Sequence, residues 1–213
     1  MYEKNEELRD AMAARNSAGI QEKLRNGKIA VAGLGGLGSN IAVMLARIGV
    51  GKLLLVDFDK VEPSNLNRQY FNVTHLGMFK TEALQSQLEL INPFVETEIR
   101  TLKITEDNAV EVFEGYAIVC EAFDRAQNKA IIVNALLSAG GKKVVAASGM
   151  NGFASSNKIK TSQAFKNLYI CGDSKAPEQE GIGFMAPRVG ICAGHQANMA
   201  LRLLLGIEST DEE

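Results

Sequence analysis

Apolar positions along this chain follow two alternating rhythms, short unbroken runs and longer stretches spaced three or four residues apart. Lys28-Ile29-Ala30-Val31-Ala32 and Leu53-Leu54-Leu55-Val56 are unbroken and short, as strands buried on both faces require. Between them Leu37, Ile41, Met44, Leu45 and Ile48 recur at helical spacing, and Gly49 offers a C-terminal stop. This predicts a βαβ unit, which chain chirality makes right-handed. Phe79 to Ile91 reads as a helix closed by Asn92-Pro93, and Val95 to Leu102 as a strand. A short helix over Glu106 to Phe113, a strand over Tyr116 to Cys120, a helix over Asp124 to Ala139 and a strand over Lys143 to Ala147 continue the alternation. The expected fold class is therefore α/β: a Rossmann-like three-layer fold with a largely parallel sheet and helices on both faces.

The two ends depart from this rhythm. Glu3 to Arg25 is rich in Ala, Glu, Arg and Lys with few apolar residues, which suits an exposed helix or helix pair broken near Ser17-Ala18-Gly19. Such an arm has little to bury against its own domain. Asn151 to Ser162 is expected to form a short antiparallel extension, and Gly172 to Gly183 a long polar loop. Met185 to Leu205 returns to helical spacing and stops at Gly206. The expected organisation is an N-terminal helical arm (1–26), a main α/β domain (27–207) and an acidic tail (208–213).

A chain of 213 residues suffices for one well-buried α/β domain. Hydrophobic residues make up 46% and charged residues 23%, which is ordinary globular usage. A net charge of -2 argues against a nucleic-acid binder driven by bulk electrostatics. The charged start, Met1 to Glu7, lacks the apolar stretch of a secretory signal, and no run is long enough for a bilayer span, so a cytoplasmic protein is expected. Cys120, Cys171 and Cys192 form no Cys-x-x-Cys pair, and His75 and His195 stand apart, so neither a disulfide framework nor structural zinc is supported.

The chemistry is concentrated after the first two strands. Gly33-Leu34-Gly35-Gly36-Leu37-Gly38 joins a strand to a helix, where backbone N–H groups and the positive helix end approach phosphates. Asp57, at the end of the next strand, suits ribose hydroxyls, with Asp59 the lesser candidate. Both also suit turn capping. Ser64-Asn65-Leu66-Asn67-Arg68-Gln69 is an addition that hydride transfer does not need. Arg68 offers a planar fork for phosphate oxygens and Lys80 a compact charge farther along a triphosphate, with Asn65 and Gln69 further candidates for cofactor binding. Asp124 is expected to end the fourth strand on the same sheet edge, where a carboxylate beside polyphosphate calls for a Mg²⁺ ion between them. A solvated polar loop remains the plain alternative for these side chains.

In this order the glycine motif, Asp57-Phe58-Asp59, Ser64 to Gln69, Lys80 and Asp124 resemble the ThiF/MoeB family, bacterial relatives of the ubiquitin-activating enzymes. The resemblance runs from about Arg15 to Gly206 and is nearest to a short sulfur carrier protein adenylyltransferase of the ThiF kind. It implies ATP- and Mg²⁺-dependent adenylation of the C-terminal glycine of a small ThiS-like, ubiquitin-like sulfur carrier ending in Gly-Gly, in thiamine thiazole biosynthesis. It further implies ribose binding at Asp57, phosphate binding at Asn65, Arg68 and Lys80, and Mg²⁺ at Asp124. An arginine of the neighbouring subunit's arm completes such sites, and Arg15 is the matching position, so a homodimer is implied.

The chain departs from the family at its cysteines. Zinc-binding relatives carry Cys-x-x-Cys where this chain has Leu168-Tyr169-Ile170-Cys171, and a sulfur-relay cysteine where it is polar around Gln179, so neither zinc nor a covalent relay there is expected. Cys171 is read as a buried or incidental thiol, with sulfur relay as the alternative, Cys192 as core, His195 as a packing or capping residue and His75 as part of its loop. The stretch Ser155 to Gly183 is long enough to guide an extended carrier tail. Competing readings are an enzyme adenylating a tRNA-borne or small-molecule carboxylate, a non-catalytic nucleotide-binding subunit, and an NAD-dependent oxidoreductase, which would leave Arg68 and Lys80 unexplained.

Overall fold

In the computed structural model, which describes residues 4–173 and 182–210, the central feature is a seven-stranded sheet in the order β3-β2-β1-β4-β5-β7-β6. The strands are β1 (Lys28–Ala32), β2 (Lys52–Asp57), β3 (Glu96–Thr101), β4 (Ile118–Glu121), β5 (Lys143–Ser148), β6 (Lys160–Phe165) and β7 (Leu168–Gly172). All neighbours run parallel except the β6–β7 hairpin. The helices are α1 (Glu6–Ala13), α2 (Gln21–Arg25), α3 (Gly36–Arg47), α4 (Lys80–Ile91), α5 (Ala109–Val112), α6 (Ala126–Ala139) and α7 (Ala186–Leu204).

Alternation along the strands divides the core in two. Ile29, Val31, Leu53, Leu55, Cys120, Val145, Tyr169 and Cys171 pack with residues of α3, α4 and α7. Ala30, Ala32, Leu54, Val56, Val119, Val144 and Ala146 face the other way, toward Val112 of α5 and Ile132 and Leu136 of α6. Three layers follow, as the unbroken apolar runs require. The strand order places β1 and β4 side by side with their connections leaving in opposite directions, through α3 to β2 and through α6 to β5. That is the topological switch point, and open α/β sheets form their ligand crevice there, at the carboxyl ends of the strands.

Two expectations need correcting. The antiparallel pair lies over 160–172, not within Asn151 to Ser162, where only a 3-10 turn at Ser156–Lys158 forms before β6. Strand β4 ends at Glu121 and α6 starts at Ala126, so Asp124 neither ends the strand nor opens the helix; it is exposed in the turn between them. The loop residues around Pro177 and Gln179, and the end of the acidic tail, lie outside the described residues.

The arm forms two helices, and α1 contributes no buried residue. It is fixed to the opposite end of the sheet from the crevice. Asn16 Nδ2 donates to the Ile48 carbonyl at 3.1 Å, at the C-terminus of α3, and the Arg9 guanidinium lies 4.8 Å from the Phe94 ring centre. Among the described residues no helix is long and apolar enough to cross a membrane.

Candidate active site

The glycine turn is shaped by two close approaches. Gly33 has φ +88°, a left-handed conformation that only glycine adopts cheaply, and its N–H donates to Val56 O at 2.8 Å. At Gly38 a Cβ would lie 1.8 Å from the Gly33 carbonyl oxygen, so α3 can fold back on the turn only with hydrogen at that position. Gly35 and Gly36 are half-buried, with no backbone pressed against them, and no side chain caps the α3 N-terminus. Its leading N–H groups are therefore directed at the crevice, which is the arrangement that binds phosphate.

Asp57 holds this turn from beneath. Its Oδ2 accepts the Leu34 N–H at 2.6 Å and its Oδ1 the Asp59 N–H at 2.8 Å. Burial raises the carboxyl above its ordinary value, against the opposing pull of the Lys80 charge and the two N–H donors. The residue read as a ribose ligand thus also braces the glycine turn. Lys80, the first residue of α4, is 6% exposed, and its Nζ pairs with Asp59 Oδ2 at 3.0 Å. Asp59 is therefore the lysine's counter-charge in the free protein.

The segment after β2 is fastened to the first turn of α3. Ser39 Oγ donates to Gly35 O at 2.6 Å and accepts the Tyr70 N–H at 2.9 Å, while Asn40 Nδ2 donates to Gly36 O at 2.6 Å and Arg68 O at 3.2 Å. Asn65 Oδ1 accepts the Glu62 N–H at 3.0 Å, and its carbonyl accepts the Arg68 and Gln69 N–H groups, closing a compact turn. These links set Arg68 and Gln69 over the glycines. A Cβ on Gly36 would lie 3.4 Å from Arg68 Cγ, and one on Gly35 would lie 3.8 Å from Gln69 Nε2.

Arg68 Nη1 donates to Ser64 O and to Asn67 Oδ1, and its guanidinium lies 5.8 Å from the Phe184 ring centre. No carboxylate pairs with it among the described residues. Gln69 is 8% exposed, and its Oε1 is buried without a hydrogen-bond partner.

On the far side of the crevice, Ala122 N donates to Ala32 O at 2.8 Å, and a Cβ on Gly33 would lie 2.9 Å from Phe123 Cδ1. The turn carrying Asp124 therefore abuts the glycine turn. The structure brings together Gly33, Gly35, Gly36, Gly38, Asp57, Asp59, Asn65, Arg68, Gln69 and Lys80, with Asp124 on the adjoining turn. It does not bring in Arg15, which is exposed beside the other end of α3, about 18 Å away along that helix.

Sequence reading passed over Ser39 and Asn40 as fasteners; their spacing of one helical turn from Gly35 and Gly36 is the signal that pointed to them. It also passed over Arg188, which is 3% exposed and bonds the Ala154 and Ser155 carbonyls and Asp173 Oδ2. The three thiols are buried and free. Burial pushes Cys171 up to about 11 and Cys192 up to about 12, and raises Cys120 as well. A buried thiol held in its neutral form is a poor nucleophile. Thr161 Oγ1 bridges Cys171 Sγ at 3.4 Å and His195 Nδ1 at 2.9 Å, so His195 has a packing partner in β6.

A glycine turn at an uncapped helix N-terminus, placed at the switch point of a doubly wound sheet, is the arrangement that nucleotide-binding α/β proteins use. The ThiF family model matches residues 7–213. The chain belongs to the ThiF family.

An adenylyltransferase and sulfurtransferase UBA4 of Lodderomyces elongisporus is 32% identical over 197 residues, covering 89% of this chain and 43% of that protein. A ubiquitin-like modifier-activating enzyme 5 of Caenorhabditis briggsae is 43% identical over 94 residues, covering 44% of this chain and 22% of that protein. The chain thus spans less than half the length of these curated relatives. Among solved structures, E. coli tRNA N6-threonylcarbamoyladenosine dehydratase, TcdA, in complex with ATP, is similar at a TM-score of 0.84 and 21% identity, covering 92% of this chain and 93% of that one.

Proposed function

We propose that this chain is an ATP-dependent adenylyltransferase that activates the C-terminal glycine of a small ubiquitin-like carrier protein. One observation carries the reading: Arg68 and Lys80, from separate segments, flank an uncapped helix N-terminus with a buried acid at the strand end beneath. The UBA4 and ubiquitin-like modifier-activating enzyme 5 relatives, named for sulfur transfer and for ubiquitin-like modifiers, support a carrier protein as substrate. A ThiS-like carrier serving thiamine thiazole synthesis is the particular case the family resemblance favours. The cytoplasm is the proposed location.

The residues fit ATP. Gly35 and Gly36 leave the α3 amides open to phosphate oxygens, the orphaned Gln69 Oε1 has an acceptor to offer, and Arg68 has no carboxylate partner among the described residues. Lys80 sits where it can exchange Asp59 for phosphate. The donor set also fits Mg²⁺, which commonly takes one or two protein carboxylates and completes its shell with phosphates and water; Asp124 would hold it here. When bound, Mg²⁺ offsets charge on the polyphosphate.

An ionised carboxylate needs no general base. Its oxygen attacks the α-phosphorus, a P–O bond to the acyl group forms, and the bond to the β-phosphate oxygen breaks with release of pyrophosphate. The product acyl-adenylate has the leaving group that a bare carboxylate lacks. The protein's part is to align the reactants and offset charge, and each cationic donor is worth about 3 kcal/mol in the transition state. Arg15 lies too far along α3 to serve its own crevice, which supports the reading that it serves a second copy in a homodimer.

The test is carrier-dependent exchange of labelled pyrophosphate into ATP. Exchange that falls at least about 100-fold in Arg68→Ala and in Asp124→Ala is expected. No exchange with any ThiS-like carrier would overturn the proposal.

A further inference from the structure

Strand β4 ends on a residue that an apolar sheet interior does not call for. Glu121 is fully buried, at 0% exposure, and stands opposite Ala32 in the parallel register with β1, level with the start of the glycine turn. Its Oε1 accepts the Phe123 N–H at 2.7 Å and Lys129 Nζ at 3.1 Å, and its Oε2 accepts Lys129 Nζ at 2.9 Å. The β4–β5 pairing stops at Cys120 and Val145, and there Gln196 Nε2 of α7 bridges the Glu121 and Val145 carbonyls at 2.9 and 3.0 Å. These bonds tie together β4, β5, α6 and α7 where the ladder ends.

Stability alone does not account for the arrangement. Burying the Glu121 carboxylate costs about as much as its attraction to the partly exposed Lys129 ammonium returns, and apolar residues of the same volume commonly serve as well. The pair does accomplish something an apolar pair cannot, because Glu121 accepts the Phe123 N–H and so fixes the turn from Ala122 to Arg125. That turn packs the Phe123 ring on Gly33 on one side and presents Asp124 on the other.

We infer that the Glu121–Lys129 pair is a positioning device for Asp124, setting that carboxylate's place relative to phosphates at the glycine turn. The inference rests on the adenylation reading for its chemical consequence. Neither residue touches substrate. Lys129, on the first turn of α6, anchors Glu121, which anchors the Phe123 amide, which sets the turn.

The experiment compares Lys129→Met and Lys129→Arg with wild type in the full chain. One readout is amide hydrogen exchange of residues 122–125 in the nucleotide-free protein, and the other is kcat and KM for ATP in pyrophosphate exchange. Lys129→Met should speed exchange in the turn by about 10- to 100-fold, as loss of the support for a charged hydrogen bond implies. It should lower kcat by about 100-fold and leave KM for ATP within about threefold. Lys129→Arg, which retains the cation, should restore both.

If Lys129→Met does not fold, Glu121→Gln with Lys129→Met removes both charges and the anchor on α6, and the same loosened turn and lower kcat are expected of it. A turn that stays protected, kcat and affinity falling together, or no rescue by arginine each overturns the inference. Absence of exchange in the wild type would count against the adenylation reading, and the amide readout then decides this inference alone.

Discussion

Removing Asp57 should damage the free protein before any nucleotide is added. In Asp57→Ala the Leu34 and Asp59 amides lose acceptors at 2.6 and 2.8 Å. Hydrogen bonds to a charged group contribute about 1.5–3 kcal/mol each, so the gross loss is about 3–6 kcal/mol. Asp57 is 7% exposed, and burial already raises its pKa, so deleting the carboxylate also relieves a desolvation cost. The net expectation is a loss of about 2–4 kcal/mol, a large share of the 5–15 kcal/mol typical of a domain. In equilibrium urea unfolding without ligand, the midpoint should fall by about 1–2 M at an unchanged slope. Asp57→Asn, which retains one acceptor oxygen but turns an amide N–H toward a donor, should fall between the two. An Asp57→Ala protein within about 0.5 kcal/mol of wild type that nevertheless fails to bind ATP would refute the bracing role and leave Asp57 as a ligand only.

Three more outcomes are expected. Gly38→Ala, whose methyl would sit 1.8 Å from Gly33 O, should lower Tm steeply or prevent folding; Gly36→Ala, whose methyl would press on the Val189 side chain at 3.0 Å and Arg68 at 3.4 Å, should lower Tm far less and reduce the ATP-induced shift. Mixing inactive Arg15→Ala with inactive Arg68→Ala should recover about a quarter of wild-type exchange, because half of the dimers are mixed and each has one complete site; activity equal to the sum of the parents would contradict a contribution across the dimer. At pH 8 the native protein should be inert to a thiol reagent, since burial puts Cys171 up to about 11 and Cys192 up to about 12, and three thiols should react after denaturation. Reactivity should rise only as pH approaches those values, because the thiolate is the nucleophile, and a fast native thiol at pH 8 would contradict the burial.

The parallel core was readable because strands buried on both faces leave unbroken apolar runs, and α3, α4 and α7 because their apolar stripes are long. The hairpin was misplaced for the converse reason. Strand β6 reads Lys-Thr-Ser-Gln-Ala-Phe and is exposed except at the half-buried Thr161, so no hydrophobic pattern marks it, and β7 is five residues long. At the candidate site the glycine turn, Asp57, Arg68 and Lys80 stand out as motifs, since their residue types and order are unusual. What the motifs do not carry is pairing: that Lys80 is neutralised by Asp59, that Asp57 braces the turn, and that Ser39 and Asn40 fasten the Arg68 segment are facts of geometry. Asp124 was expected at a strand end because an acid after an apolar run reads that way. The strand stops at Glu121 instead, whose partner Lys129 lies eight residues on, a spacing with no local signature.

A crystal structure with ATP and Mg²⁺ bound tests the central claim most directly. The account predicts a triphosphate on the Gly35 and Gly36 amides, with the Arg68 guanidinium and Lys80 ammonium within about 3 Å of its oxygens and Asp124 at the metal. A nucleotide seated elsewhere, or one bound there with Arg68 and Lys80 still on Ser64 and Asp59, would contradict it.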